Sequence, residues 1–493
     1  MSRLPIATLV FFATLFGLPL TQAALELARG ERVQALDVIG PLEAPRLRSF
    51  ERELLEASCL QERAVPTYQE LLLRLLRRGN EQAIASTGGW LDYTADVEHV
   101  TGPGVLQPGA AGPRAVETLV QFHEVLDAAG VRLLLVPVPT KSSVEPQFLA
   151  RGGSPVAPGG AENPDTAAWL EELRAAGLEL LDLSALLDEA RTDDMPLFLP
   201  RDTHWTPATM RRVAAAVAAR TAELGGLPVP ASHAFTTREL RVEGAGDLVG
   251  MLNLPPGSDV FEPMQLELEQ VQSGDQLWAP TRDAEVLLLG DSFTRVFSDP
   301  ELELGTSAGL AEHISLALGR PLDVIAMSGG GAAAVRTALA RRADGLAGKR
   351  VVIWEFTLRE LSADADSWRW IELPPPSVPE PDPVPVLEPA LGFEVTAELV
   401  ELSVLDPDFD YAFCLGVFEY RVLEGPHEGP LWVAFPVLEE HQPTKAADFT
   451  IGLRQRLVLE PIEEHHDLES TSWIDDTDAG YDIFMAVEWG PAE

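Results

Sequence analysis

Basic residues and cysteine are scarce in this chain: 36 lysines and arginines stand against 77 acidic residues, and there are 2 cysteines in 493 residues. The acidic excess gives a formal charge of −41, which argues against nucleic acid or an anionic membrane surface as a partner. It also repels a polyanion unless basic residues line the groove that receives it. Cys59 and Cys414 lie far apart, one on an expected helix and one on an expected strand, and read as buried small hydrophobes rather than as a disulfide. His465-His466 lacks zinc-ligand partners at known spacing, and neither a dinucleotide fingerprint nor a P-loop lysine pattern occurs. No metal and no cofactor are therefore expected. Long apolar runs are missing too, with one exception at the start of the chain.

That exception, Leu4 to Leu20, follows Arg3 and precedes Thr21-Gln22-Ala23, whose small residues suit a signal peptidase. Pro5 and Pro19 disfavour a membrane span, although an uncleaved anchor stays open. Residues 1–23 read as an export signal, which places the mature chain in an oxidising compartment, most simply the bacterial periplasm.

What is present is enough apolar sequence, 46%, for a large core and more than one domain. Residues 24–85 carry helical spacing, with Leu54, Leu55, Tyr68, Leu71, Leu72, Leu75 and Leu76 forming apolar faces of a lead-in that packs on the next domain. From residue 86 to 373 helices alternate with short apolar runs, notably 131–139, 178–183, 286–289, 322–326 and 351–356. The fold class expected is α/β, a doubly wound, mostly parallel sheet. Residues 374–386, seven of them proline, form a stiff linker. Residues 387–493 change to alternating periodicity and read as a small antiparallel β-barrel or sandwich, with 24 acids against 4 bases. Within it, residues 475–482 are rich in aspartate but lack EF-hand spacing, so a solvated turn is the better reading than a calcium site.

The chain is organised around Val286-Leu287-Leu288-Leu289-Gly290-Asp291-Ser292-Phe293, an apolar strand that turns at glycine and delivers Ser292 to its carboxyl end, where open α/β sheets keep their chemistry. A serine needs a base to act as a nucleophile, and Asp202-Thr203-His204-Trp205-Thr206-Pro207 offers one, with the carboxylate two residues from the imidazole. Taken alone, Gly-Asp-Ser also suits a plain helix cap. Together the two blocks resemble the SGNH family of serine esterases and acyltransferases. Because the Asp202/His204 block precedes Ser292, the order resembles the alginate O-acetyltransferase branch, whose periplasmic enzymes acetylate exopolysaccharides.

The resemblance implies a catalytic triad of Ser292, His204 and Asp202 that moves an acetyl group through an acyl-serine to a sugar hydroxyl. It also implies a membrane-bound O-acyltransferase as acetyl donor and a polysaccharide as acceptor. The glycine turn Gly329-Gly330-Gly331 ends a strand before a helix, so its amides are candidates for an oxyanion hole beside the Ser292 amide. Lys141, after Val136-Pro137-Val138-Pro139, is a candidate substrate contact, with a solvated loop lysine as the plain alternative. Asp247 reads as a turn residue that could belong to the site, and Trp205 as a support for His204 or simply a core aromatic. A carbohydrate esterase with the same triad, and a non-catalytic polysaccharide-binding scaffold, remain the alternatives.

Overall fold

A computed structural model describes Thr21, Leu27 and residues 59–149, 161–191, 195–227, 235–302, 304–329, 331–342, 344–363, 365–373, 393–403, 413–427, 429–439, 442–462, 465, 468, 472–474 and 483–491. The expected linker, the aspartate-rich turn and all of the export segment except Thr21 lie outside the described residues. Among the described residues no helix is long and apolar enough to cross a membrane.

Two compact units divide the chain. The first joins Met1–Ala85 to Leu248–Glu262, so a segment expected within the α/β domain belongs instead with the lead-in. Its helix α1 (Cys59–Leu76) uses Arg74 to pair with Glu70 one turn away at 2.7 Å and with Asp259. Ser258 Oγ donates to Glu70 at 3.1 Å and Asn80 Nδ2 to the Met251 carbonyl at 2.6 Å. These polar ties fix the inserted segment. Of the apolar positions expected on this lead-in, Tyr68, Leu71, Leu75 and Leu76 are exposed, Leu72 is half-buried, and Leu54 and Leu55 lie outside the described residues.

The second unit opens with α2 (Thr94–Thr101) and α3 (Ala111–Ala128). It continues through β1 (Arg132–Val138), α4 (Thr166–Ala175), β2 (Glu179–Leu180) and α5 (Pro207–Gly225). Next come β3 (Val286–Gly290), the one-turn α6 (Ser292–Arg295), α7 (Leu310–Leu318), β4 (Asp323–Ala326), α8 (Gly331–Arg341) and β5 (Val351–Thr357). The sheet order is β2-β1-β5-β3-β4, and every pairing in it is parallel.

Alternation along the strands explains why helices cover both faces. Leu134, Val136, Val286, Leu288, Val351 and Ile353 point to a core shared with Val213 and Val217 of α5 and Ile314 of α7. Leu133, Leu135, Leu287, Leu289, Val352 and Trp354 point to the opposite core, with Leu119 of α3, Leu173 of α4 and Leu339 of α8. Each fully buried large side chain stabilises by about 1.5–3 kcal/mol, so a strand apolar at every position is held from two sides. Beside this sheet, Phe235–Gly244 and Met264–Ser273 form a ten-residue antiparallel pair; the first strand has its Thr236 to Glu239 exposed, while the second alternates buried Met264, Leu266 and Leu268 with exposed Gln265 and Glu267.

The acidic C-terminal region is a separate all-β domain. Its strands are β6 (Phe393–Leu402), β7 (Phe413–Glu424), β8 (Pro430–Glu439), β9 (Arg454–Pro461) and β10 (Ile483–Pro491). They pair β6 with β7, β7 with β8, β8 with β10, β10 with β9 and β9 back with β6, which closes a barrel. The β8–β10 seam is parallel, and so is the pairing of residues 414–416 of β7 with Ser472–Ile474, so among the described residues the expected antiparallel arrangement has two exceptions. Closure consumes the ladder edges that an open sheet would leave. Inside lie Val395, Leu399, Phe418, Tyr420, Val433, Phe435 and Leu457. Cys414 is buried there as a free thiol whose pKa burial pushes up to about 12, so it serves as a small hydrophobe.

Candidate active site

The base is built by a tight loop between β2 and α5. Leu199 N–H donates to the His204 carbonyl at 2.9 Å and Thr206 N–H to the Leu197 carbonyl at 2.8 Å, so residues 197–206 double back on themselves. Thr206 then caps α5, with Pro207 in the first turn. Within this loop Asp202 Oδ1 accepts from His204 Nδ1 at 2.7 Å and from the His204 amide at 3.0 Å. The carboxylate fixes the proton on Nδ1, so Nε2 keeps its lone pair. Nε2 is buried and has no hydrogen-bond partner in the chain.

Two residues hold Asp202 in turn. The amide of Asp247 donates to Asp202 Oδ2 at 2.9 Å, while the Asp247 carboxylate accepts from the Thr203 amide at 2.8 Å and lies 3.7 Å from His204 Nδ1. Asp247 therefore belongs to the site rather than to a remote turn. Lys141 is the second support, and here the expectation of a substrate contact is corrected. Its ammonium is fully buried and donates to the carbonyls of Leu91, Pro200 and Asp202 at 2.5, 3.1 and 2.9 Å. With three donors and three acceptors it has none left for a ligand. It is a post beneath the Asp202 loop, 5.1 Å from the centre of the Trp90 ring.

Electrostatics follow from this packing. Burial disfavours the imidazolium, but the charge and hydrogen bond of Asp202 outweigh it, so the His204 pKa is raised above 6.5. Burial likewise disfavours the Asp202 carboxylate, yet His204 and the two amides hold its pKa below 3.8. Asp247 shows the opposite balance: burial and then the Asp202 charge push it up to about 6. A Lys141 pKa lowered by burial, partly offset by Asp92 and Asp202, completes the set.

The serine block is set by β3 and its neighbour β5. Asp291 Oδ1 caps α6 through the Phe293 amide at 2.8 Å, and its Oδ2 accepts from Thr357 Oγ1 at 2.6 Å. Glu355 accepts from the Asp291 amide at 3.1 Å and from Thr294 Oγ1 at 2.8 Å, and burial followed by the nearby Asp291 charge raises its pKa well above 4.5. This packing explains Gly290: a Cβ there would stand 2.1 Å from Thr294 Oγ1. Ser292, half-buried, opens α6, where a first-turn amide has no intrahelical acceptor.

Phe293 joins the two blocks. Its ring lies 4.7 Å from the His204 ring, 4.9 Å from Trp205 and 6.0 Å from Phe198, each edge to face. Trp205 thus supports the loop from below. Among the described residues no hydrogen bond links Ser292 Oγ to His204 Nε2.

The glycine turn has another occupant. Gly331 has φ 62°, and the next amide, Ala332 N–H, goes to the carboxylate of Glu360. Gly329 is exposed with φ 71°, and Gly330 lies outside the described residues. A carboxylate of the chain therefore stands beside the turn whose Gly329 to Gly331 amides are the oxyanion-hole candidates. A group that sequence reasoning did not single out stands nearby. Arg359, in the turn Leu358–Ser362 after β5, pairs with the fully buried Asp96 of α2 at 3.0 Å and lies 5.4 Å from the Tyr93 ring and 5.9 Å from the Phe293 ring. The one sequence signal was a basic residue just past the carboxyl end of the last strand. Asp202, His204 and Asp247 also place three ligand atoms within 4.8 Å of one another, but each is committed to the hydrogen bonds above.

Residues 87–358 match the family model described as the SGNH hydrolase-like domain of acetyltransferase AlgX. Over 236 residues the chain is 28% identical to the Pseudomonas aeruginosa protein described as "Probable alginate O-acetylase AlgJ", a match that covers 45% of this chain and 57% of that protein. The chain thus spans little more than half the length of that relative. Among solved structures, the O-acetyltransferase domain of Pseudomonas putida AlgJ superposes with a TM-score of 0.43 at 23% identity, covering 57% of this chain and 92% of that one. Pseudomonas aeruginosa AlgX gives 0.43 at 15% identity, covering 76% and 85%.

Proposed function

The chain belongs to the SGNH hydrolase-like AlgX acetyltransferase family, and from that premise we propose that it transfers acetyl groups to hydroxyls of an exported polysaccharide through Ser292. The observation that carries the reading is the state of His204. Asp202 holds Nδ1 at 2.7 Å, Nε2 is buried without a partner, and the residue after Ser292 packs on the imidazole ring. A base oriented from one side and open on the other is what a serine nucleophile needs.

In the proposed reaction Nε2 takes the Ser292 proton as Oγ attacks the acetyl carbonyl of the donor. The tetrahedral oxyanion accepts from the Ser292 amide. The imidazolium then protonates the leaving group, which departs and leaves acetyl-serine. A sugar hydroxyl, deprotonated by His204, attacks the acetyl carbon, and Ser292 leaves with the proton. Asp202 keeps the tautomer and stabilises the charged ring throughout. Family membership supports a membrane-bound O-acyltransferase as donor. The apolar stretch 4–20 supports export to the periplasm. We divide the chain functionally into an export signal at 1–23, a helical lead-in at 24–85, a catalytic domain at 86–373, a linker at 374–386 and an acidic β-domain at 387–493.

The deciding experiment gives the full chain an acetyl ester together with unacetylated glycans, charged and neutral, and weighs the glycans by mass spectrometry. Sugar acetylated in preference to acetate release supports transfer. Acetate release with no sugar modified across all polymers moves the chain to the esterase reading.

A further inference from the structure

We propose that Glu355 is a positioning residue for Ser292: it works as the neutral acid, hydrogen-bonded to Asp291, and clasps the turn on both sides of the nucleophile. This rests on the reading of Ser292 as nucleophile and adds the group that holds it in place. Glu355 lies fully buried near the carboxyl end of β5, and its Oε2 accepts from the Asp291 amide at 3.1 Å and from Thr294 Oγ1 at 2.8 Å. One donor comes just before Ser292 and the other two residues after it, so a single oxygen spans the turn that carries the serine.

The placement of donors tells which of the two carboxyls is neutral. Asp291 takes three: the Phe293 amide on Oδ1 at 2.8 Å, and the Thr357 amide and hydroxyl on Oδ2 at 3.1 and 2.6 Å. Glu355 takes two, both on Oε2, while Oε1 is buried and no donor reaches it. Among the described residues no basic side chain pairs with Glu355. On β1 its neighbour is Val136, and the Arg359 charge falls on Asp291 instead. A bare anion in that place is among the costliest groups a fold can carry. The Asp291 carboxyl stands within hydrogen-bond reach of Glu355, and two carboxyls share such a bond only when one of them carries a proton. Burial and then the Asp291 charge raise the Glu355 pKa well above 4.5, in the same direction. Neutrality also suits the proposed chemistry: negative charge develops on the acyl oxygen at Ser292, and a second carboxylate at this turn would oppose it.

The test uses the full chain and two substitutions. Glu355→Gln imitates the neutral acid in shape and hydrogen bonding, whereas Glu355→Leu removes the clasp. At neutral pH the infrared spectrum of the parent chain minus that of Glu355→Gln should contain the carbonyl stretch of a protonated carboxyl. Labelling by a small acetyl ester, followed by intact mass, should slow by roughly a hundredfold in Glu355→Leu, in its maximal rate more than in the ester concentration that gives half of it. Glu355→Gln should recover most of that loss. A difference spectrum without the band overturns the proposal. So does a Glu355→Gln chain that melts well below the parent or labels as slowly as Glu355→Leu, because the position then needs the charge. A folded Glu355→Leu chain that labels as fast as the parent removes the positioning role. A band that Glu355→Gln abolishes, in a parent chain that takes up no acetyl group, would sink the transfer reading alone.

Discussion

The ring centres of Phe293 and His204 lie 4.7 Å apart in an edge-to-face arrangement, so the residue that follows the candidate nucleophile is seated on the candidate base. Two blocks far apart in sequence are thereby fixed to one another by an apolar contact rather than by a polar one. Phe293→Ala removes that seat together with a fully buried aromatic, and should cost about 3–5 kcal/mol of stability. Denaturant unfolding measures the loss. Phe293→Leu keeps most of the volume and separates packing from ring geometry: a chain that is stable but slow in acyl transfer would confirm the seating role.

The proposed triad of Ser292, His204 and Asp202 should act as a unit. Ser292→Ala should abolish covalent labelling by an acetyl ester, and His204→Ala should slow it by several orders of magnitude. Intact-mass measurement after incubation reads both, and a Ser292→Ala chain that still gains one acetyl group at the site would remove Ser292 from the mechanism.

Acidity should silence the enzyme from a higher pH than an ordinary histidine would. Only neutral His204 can accept the serine proton, and its pKa is raised above 6.5, so acyl transfer falls as pH drops through that raised value. Asp202→Asn leaves the burial and removes the strongest attraction, and the midpoint of kcat/KM against pH should move down. The linked stability has the opposite course. The charged His204 contact stabilises the fold fully below 6.5 and is lost as pH rises through the raised pKa.

Lys141→Met should damage structure before it affects binding. Three buried carbonyls lose their donor at once and Asp202 loses its footing, for a cost of about 2–5 kcal/mol. Thermal melting and steady-state kinetics check this together: an unchanged melting temperature with a raised KM would return Lys141 to the substrate-contact role.

Deleting residues 387–493 should leave the catalytic unit folded and active on a small acetyl ester, because the barrel has its own closed ladder and its own core. Loss of activity together with folding would show that the two share one core.

The strand that carries Ser292 was legible because its apolar run has a single physical reading, a strand covered on both faces. The Asp202/His204 pair was legible because its members are two residues apart, and spacing that short survives any fold. What escaped was set by tertiary placement. Asp247 reaches Asp202 across 45 residues of chain through a backbone amide, a group that every residue carries and no pattern marks. Lys141 was read as a substrate contact because sequence shows the charge and not the three carbonyls that surround it. The glycine turn was read for what its amides could hold, and Glu360, whose carboxylate takes the next amide, that of Ala332, follows Gly331 by 29 residues. The antiparallel pair at 235–273 was only half hidden: exposed Thr236 to Glu239 carry no hydrophobic rhythm, but Met264, Leu266 and Leu268 alternate with exposed Gln265 and Glu267, a signal that the sequence reading passed over.

The strand order has a consequence in time. β5 is the last strand of the sheet to be synthesised, yet it lies between β1 and β3 and supplies the pairing that joins them. Before residue 357 is available the sheet exists only as two separate pairs, β2 with β1 and β3 with β4, the His204 loop following one and Ser292 ending a strand of the other. A chain emerging from its amino end therefore carries base and nucleophile on halves that nothing in the sheet connects. Assembly of the candidate site waits for the insertion of one central strand, the last of the sheet to leave the ribosome.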